Sequence, residues 1–169
     1  QEPAKNQLHG VVEQENQVKD GTITPQVKIY LTYGGKNKLG LYCWVQISQS
    51  FSQTYCGPTY SPVSWLQVGV AVGVQTGPVT FQAAGFVWVG KVVKGKMLSS
   101  ILIYEKGGNW YRNVSSVEID KRFTTSLVIQ RYAGTGPRLD VKLTKSISVG
   151  AEYRFGNNPS LAFGLKYQF

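Results

Sequence analysis

Apolar and polar residues alternate along most of this chain with a period of two, which is the pattern of β-strands with two different faces. The alternation begins at Pro25 and continues to the C-terminus, and short runs of Gly, Pro, Asn or Lys interrupt it at regular intervals. No segment has the spacing of an amphipathic helix. The pattern predicts strands over 25–34, 39–49, 51–60, 64–76, 78–92, 96–106, 109–119, 122–133, 137–144, 146–156 and 160–169.

The two faces of the predicted strands differ in residue size as well as in polarity. In the segment 66–74, leucine and valine occupy one face, whereas the other face carries Gly69, Ala71 and Gly73. Glycine weakens an ordinary solvent-exposed strand, but small residues suit the crowded inner wall of a narrow barrel. We therefore expect the valine face to point outward and the small residues to point into a lumen.

Charged residues follow the same logic near the C-terminal end. In 138–143, Arg138, Asp140 and Lys142 alternate with leucine and valine. Charged residues inside and apolar residues outside are the arrangement of a membrane-spanning barrel. The strand at 78–92 is ambiguous, because large apolar residues occur on both faces and both could be buried.

Residues 1–24 are polar and rich in glutamine, with no clear period. We expect a polar, acidic N-terminal arm, a lumen plug or an irregular first strand, followed by a barrel over 25–169. The first residues, Gln1–Lys5, lack the apolar stretch of a signal peptide, as expected of a processed chain. Single-chain bacterial barrels have even strand numbers, so either residues near 8–19 supply a twelfth strand or one hairpin is miscounted and the number is ten. The predicted fold class is all-β, a transmembrane antiparallel up-and-down β-barrel of 10–12 strands, with twelve favoured.

The C-terminal segment Ser160–Phe169 alternates without a break and ends on an aromatic residue. One face carries Leu161, Phe163, Leu165, Tyr167 and Phe169. This segment resembles the C-terminal signature of bacterial outer-membrane β-barrel proteins of the porin type. The resemblance identifies no specific family. It implies a location in the Gram-negative outer membrane, contact with outer-membrane lipid, and recognition of this strand by the barrel-assembly machinery during insertion.

Such barrels have their C-terminus on the periplasmic side, which assigns each predicted turn to one side of the membrane. The turns of the periplasmic set carry nearly all of the basic turn residues, although the assignment makes no use of charge. This separation predicts a basic periplasmic rim formed by Lys36, Lys38, Lys94, Lys96, Lys121, Arg122 and Lys145.

The predicted inner faces carry charges of both signs, which favours a network of ion pairs in the lumen. Its members are Lys28, Arg112, Glu118, Arg138, Asp140, Lys142, Glu152, Arg154 and Lys166. Basic residues outnumber acidic ones in this set, and the whole chain has a formal net charge of +9. The first hypothesis is therefore a porin-like channel that prefers small anionic solutes.

Two alternatives stay open at this point. One is a non-conducting barrel with a structural or assembly role, whose partner would be a periplasmic or membrane protein. The other is a soluble, lipocalin-like barrel that binds a ligand, which would place its apolar residues inside.

The chain has two cysteines, Cys43 and Cys56, on the two strands of a predicted hairpin that turns at Gln49–Ser50. This register places them opposite each other, which predicts a cross-strand disulfide; the competing interpretation is a pair of free thiols. Two cysteines without histidine or acidic neighbours do not form a tetrahedral metal site.

The sequence carries little that could support catalysis. Its one histidine, His9, lies in the polar N-terminal segment, where no nucleophile is predicted beside it. Phosphate-loop and dinucleotide motifs are absent from the sequence. We expect no enzyme activity, no catalytic residue, no cofactor and no bound metal. Nucleic acid is not an expected partner, because the aromatic residues lie on the apolar face.

Overall fold

Twelve β-strands make up most of the described chain, close to the positions that the alternation predicts. The structure is a computed structural model and describes residues 7–34, 38–77, 81–105, 110–156 and 159–169. The strands are β1 (Gln7–Lys19), β2 (Thr22–Gly34), β3 (Leu39–Ser48), β4 (Ser52–Val63), β5 (Leu66–Gln75), β6 (Phe81–Val93), β7 (Lys96–Glu105), β8 (Trp110–Glu118), β9 (Phe123–Gln130), β10 (Gly134–Lys142), β11 (Ile147–Arg154) and β12 (Ser160–Gln168). Within these residues no helix is long and apolar enough to cross a bilayer.

The strands close into a barrel because β1 pairs with β2 on one side and with β12 on the other. The remaining strands pair in chain order, and the paired strands run antiparallel. Closure gives each of these strands a hydrogen-bonded neighbour on both sides. The predicted all-β, up-and-down barrel of twelve strands is confirmed.

Strand β1 is built from the polar N-terminal segment. Gln7–Lys19 pairs with β2 along its whole length, and Val11–Val18 pairs with β12. Glu13 and Glu15 lie on its inward face, whereas the exposed Gln14 lies on the outward face. The outward face mixes Val12 and Val18 with polar residues, so the alternation of apolar and polar residues in this strand is too weak for a sequence pattern to detect.

The outward face of the barrel is apolar. Val70, Val72 and Val74 on β5 are 67%, 57% and 58% exposed, whereas the intervening Ala71 is 6% exposed. A soluble lipocalin-like barrel would need the opposite arrangement, so this surface argues against that alternative.

The sequence pattern of strand β6 was ambiguous, because both of its faces could be buried. In the structure one face points outward and the other points into the lumen. Phe81 points outward and is 67% exposed, whereas Phe86 points inward and is 5% exposed. Large apolar residues occur on both faces because the outward set continues the apolar surface and the inward set packs against other aromatic rings in the lumen.

The predicted strands 122–133 and 137–144, which correspond to β9 and β10, are wrong in the position of the turn between them. The chain turns at 131–133, and β10 begins at Gly134. A Cβ atom at Gly136 would lie 1.6 Å from the carbonyl oxygen of Tyr153 on β11. The glycine therefore permits the close approach of β10 and β11. In the sequence alone, such a glycine has the same appearance as a turn residue.

The predicted disulfide between Cys43 and Cys56 is confirmed. The two residues are directly paired between β3 and β4, with their α-carbons 4.1 Å apart. Their neighbours Trp44 and Tyr55 are buried in the lumen. Since side chains alternate along a strand, the bridge lies on the outward face of the barrel.

Candidate functional site

Side chains close the lumen between its two ends, and we call this closure the septum; aromatic rings form one side of it. Trp44 on β3 stacks on Trp110 of β8, with ring centroids 5.2 Å apart, although β4–β7 separate these two strands in the wall. Tyr42 on β3 contacts Phe86 on β6 in the same way, at 4.4 Å. These two contacts cross the lumen, so side chains close it. We call this cluster the aromatic half of the septum; it comprises Tyr30, Tyr42, Trp44, Tyr55, Phe86 and Trp110.

Ion pairs fill the other side of the lumen at the same level. Glu15 on β1 pairs with Lys28 Nζ at 2.8 Å and with Arg154 Nη2 at 3.3 Å. The side chains of all three residues are 2% exposed. A charge buried this deeply is stable only when it is paired and hydrogen-bonded, and each of these groups is.

Arg138 is the centre of this ionic cluster. Its guanidinium donates to Glu13 on β1 and to both carboxylate oxygens of Asp140, at 2.9 Å each. It also lies 3.8 Å from Glu15 and 3.6 Å from Glu152. Because β11 and β12 lie between β10 and β1, Arg138 connects non-adjacent parts of the wall. We call this cluster the ionic half of the septum; it comprises Glu13, Glu15, Lys28, Arg112, Arg138, Asp140, Glu152 and Arg154.

The structure divides the predicted lumen network into three groups. The ionic half contains Lys28, Arg112, Arg138, Asp140, Glu152 and Arg154. Lys166 joins it through Asp140 at 3.1 Å. Lys142 and Glu118 form a separate, partly exposed pair at 3.5 Å.

Sequence reasoning missed three carboxylates of the lumen. Glu13 and Glu15 lie in the polar N-terminal segment, and Glu105 lies at the end of β7; all three are buried. They bring the lumen close to electrical neutrality, whereas the predicted set was basic. The spacing Glu13–Glu15–Gln17, with polar residues at every second position, is the signal that could have placed them on one face of a strand.

The lumen opens into a large cavity at the end of the barrel where β1 begins and β12 ends. Its volume is about 1690 Å³, and we call it the terminal vestibule. Small inward residues make it wide, because they leave the backbone of β6–β9 uncovered. Its lining includes Trp88, Gly90, Met97, Ser99, Ser116 and Ser126.

A second cavity lies at the opposite end of the lumen, beyond the septum. Its volume is about 390 Å³. Five glutamine side chains from different strands contribute to its lining, and we call it the glutamine vestibule. They are Gln17, Gln46, Gln53, Gln75 and Gln130.

The basic residues predicted for the rim share one end of the barrel. The turns that carry them lie beside both chain ends, and the described members are exposed: Lys38, Lys94, Lys96, Lys121, Arg122 and Lys145. Lys36 lies outside the described residues. In the same group of turns, the backbone N–H groups of Arg122 and Phe123 donate to Asp120 at 2.7 and 2.9 Å and lower the pKa of that carboxyl group.

The apolar residues of the C-terminal strand form a continuous outward stripe. Their exposure ranges from 43% to 52%, and the stripe comprises Leu161, Phe163, Leu165, Tyr167 and Phe169. Strand β12 pairs with β11 and β1, so this stripe lies at the seam where the barrel closes.

Known proteins share this fold without detectable sequence relationship. No family model and no curated protein matches the sequence. The KdgM porin superimposes with a TM-score of 0.64 at 13% identity, covering 94% of this chain and 99% of that one. The outer-membrane protein Omp33 of Acinetobacter baumannii gives 0.61 at 9% identity, covering 99% and 100%. The NanC porin gives 0.57 at 13% identity, covering 92% and 98%. The fold is that of small bacterial outer-membrane porins.

Proposed function

We propose that this protein is a porin-like channel of the bacterial outer membrane whose passage is closed at the septum in the present conformation. The observation that carries the proposal is the division of the lumen. Two cavities open at opposite ends of the barrel, and within the described part of the chain the groups between them are side chains of the wall strands. A rearrangement of side chains would therefore connect them without moving the backbone.

The outward surface supports the location in a membrane. Valine, leucine and aromatic side chains are exposed around the barrel, and such a surface would be unstable in water. Outer-membrane lipid is the partner that this surface fits. The C-terminal stripe ending at Phe169 is accessible from outside, which supports its recognition by the barrel-assembly machinery.

The aromatic half of the septum is the part that would open. Its rings are held by packing, whereas the ionic half is held by charged hydrogen bonds that are costly to break in a buried site. Replacing Trp44 and Trp110 by alanine in one variant removes the stack that spans the lumen. We expect single-channel conductance in planar bilayers to rise several-fold over that of the unmodified protein.

A suitable control is Trp65→Ala. Trp65 is 52% exposed and lies in the turn between β4 and β5, at the wide terminal vestibule and away from the septum that would limit conductance. It should leave conductance unchanged. An increase of the same size in this control would show that the loss of any tryptophan perturbs the barrel, and the channel proposal would lose its support.

A non-conducting structural barrel is the second candidate function. The near-complete burial of Glu15, Lys28, Glu152 and Arg154 favours it, because side chains that are 2% exposed are almost inaccessible to water. It predicts no current steps in either the unmodified protein or the double tryptophan variant, although both migrate as folded barrels in unheated gels.

The preference for anions would depend on the rim, since lumen charges nearly balance. Exposed lysines at one mouth raise the local concentration of anions and would bias permeation. We expect the variant Lys94→Gln/Lys96→Gln to move the reversal potential in a salt gradient towards that of a cation-preferring channel.

Lys91→Gln is the matched control for this change. Lys91 lies on β6 near the same end, but its side chain is on the outward face and exposed. Its replacement should leave the reversal potential unaltered. If the unmodified channel stays closed, the same measurements apply in the double tryptophan background. Equal shifts for both variants, or no shift, would contradict a role of the rim in selectivity.

A further inference from the structure

We propose that the glutamine vestibule is a binding site for a small, uncharged polyhydroxylated solute of the size of a mono- or disaccharide. The site adjoins the septum, with which it shares Trp110, and lies at the opposite end of the lumen from the rim. Binding there needs access from one mouth of the barrel only, so the proposal does not depend on conduction.

A relay of hydrogen-bonded side-chain amides determines whether one wall of the vestibule presents donors or acceptors. Gln26 Nε2 donates to Glu15, Gln46 Nε2 donates to Gln26 Oε1 at 3.0 Å, and Gln53 Nε2 donates to Gln46 Oε1 at 3.3 Å. The carboxylate of Glu15, paired with Lys28, can only accept hydrogen bonds. The orientation of each following amide is therefore fixed, with its NH₂ group donating towards Glu15. The last group of the relay is the carbonyl oxygen of Gln53.

That terminal oxygen lacks a partner. Gln53 is 3% exposed, and among the described residues no donor reaches its Oε1 atom. A buried acceptor without a hydrogen bond costs about 1–3 kcal/mol, so the fold keeps an unfavourable group in the lining of this cavity. The oxygen is covered in this conformation, so a ligand that donates a hydrogen bond would relieve that cost after a small shift of the Gln53 side chain towards the cavity.

A different wall of the vestibule presents the opposite character. Gln130 Oε1 accepts from Arg112 Nη1 at 2.9 Å, which leaves the amide NH₂ group of Gln130 as the donor. The vestibule thus combines an acceptor on β4 with a donor on β9. An anion can only accept and an ammonium group can only donate, whereas a hydroxyl group does both. Hydroxyl groups are the ligand chemistry that matches both walls.

The remaining lining suits a sugar ring. Trp110 and Tyr132 offer aromatic surface, against which the C–H groups of a sugar can pack. The charged residues Lys19, Glu105 and Arg131 also line the cavity and carry both signs. The cavity of about 390 Å³ is at the small end of ligand sites, which limits the ligand to one or two rings.

The test is equilibrium dialysis of the full-length protein against radiolabelled lactose, maltose, sucrose and digalacturonate, in a detergent that contains no sugar headgroup. We expect saturable binding of at least one neutral disaccharide at one site per barrel. Gln53→Leu should weaken that binding by about tenfold, since it removes the acceptor at the end of the relay, and a tenfold change corresponds to about 1.4 kcal/mol.

Gln67→Leu provides the matched control. Gln67 is also an inward, partly buried glutamine, and it bonds Thr59 at 3.3 Å on the other side of the septum. It should leave binding unchanged. If Gln53→Leu fails to fold, Gln75→Leu tests the same vestibule at a less buried position.

Three results would overturn the proposal. One is the absence of saturable binding by every neutral disaccharide, and another is tighter binding of digalacturonate than of the neutral sugars. The third is an equal loss of affinity in Gln53→Leu and Gln67→Leu. None of these results bears on conductance, so the channel proposal is tested separately.

Discussion

Replacement of Arg138 by methionine is expected to lower the free energy of unfolding by about 3–5 kcal/mol, the largest effect of any single change considered for this barrel. Methionine keeps much of the side-chain length but removes the charge. Glu13 and Asp140, both buried, would lose the guanidinium that bonds them. A urea titration of the protein in lipid vesicles, followed by tryptophan fluorescence, measures the change.

Lys142→Met is the control on the same strand. Lys142 also points into the lumen, but its ion pair with Glu118 is more than a third exposed, so its loss should cost less than about 1 kcal/mol. Adding Glu13→Gln to Arg138→Met should restore part of the lost stability, because it removes a carboxylate left without its partner. Equal destabilisation by the two methionine variants would show that the ionic half does not stabilise the barrel.

Replacement of Gly164 by alanine is expected to cost about 1–3 kcal/mol through crowding at the seam. A Cβ atom there would lie 2.1 Å from the carbonyl oxygen of Gln14 and 3.0 Å from the α-carbon of Glu15, both on β1. Backbone atoms cannot move aside as a side chain can. Strand β12 would therefore pair less well with β1, and the fraction of compact, heat-modifiable protein on unheated gels should fall.

Gly85→Ala serves as the comparison. Gly85 is also in the middle of a strand, but the nearest atom to an added Cβ would be 3.6 Å away, which is an ordinary contact. Its replacement should change stability by no more than about 0.5 kcal/mol. If Gly164→Ala and Gly85→Ala change the stability equally, the proposed effect of crowding at Gly164 is contradicted.

The alternation of residues was sufficient to predict eleven of the strands within a few positions and the pairing of Cys43 with Cys56. Both depend on local information, since the face of a strand residue follows from its parity and the register of a hairpin follows from its turn. The same reasoning misplaced the β9–β10 turn, because Gly136 has a role in packing that only the neighbouring strand reveals.

The interior of the lumen was harder to predict than the wall. Parity identified most of the inward charges, but the contact between Trp44 and Trp110 depends on which strands face each other across the closed barrel. Glu13 and Glu15 lie in the segment for which an arm, a plug and an irregular first strand all stayed open, because the intervening Gln14 and Asn16 are polar as well. Neither the closure of the lumen nor its near-neutral charge follows from the sequence until β1 is placed in the wall.

The position of the disulfide on the outward face determines when the bond can form during assembly. Thiol oxidants and reductants act from water, whereas Cys43 and Cys56 face the side of the wall that would contact lipid. The bond must then form before the hairpin of β3 and β4 enters the membrane. Once the barrel is inserted, oxidants and reductants in water no longer reach the cysteine pair. The pair then keeps the oxidation state that it had before insertion.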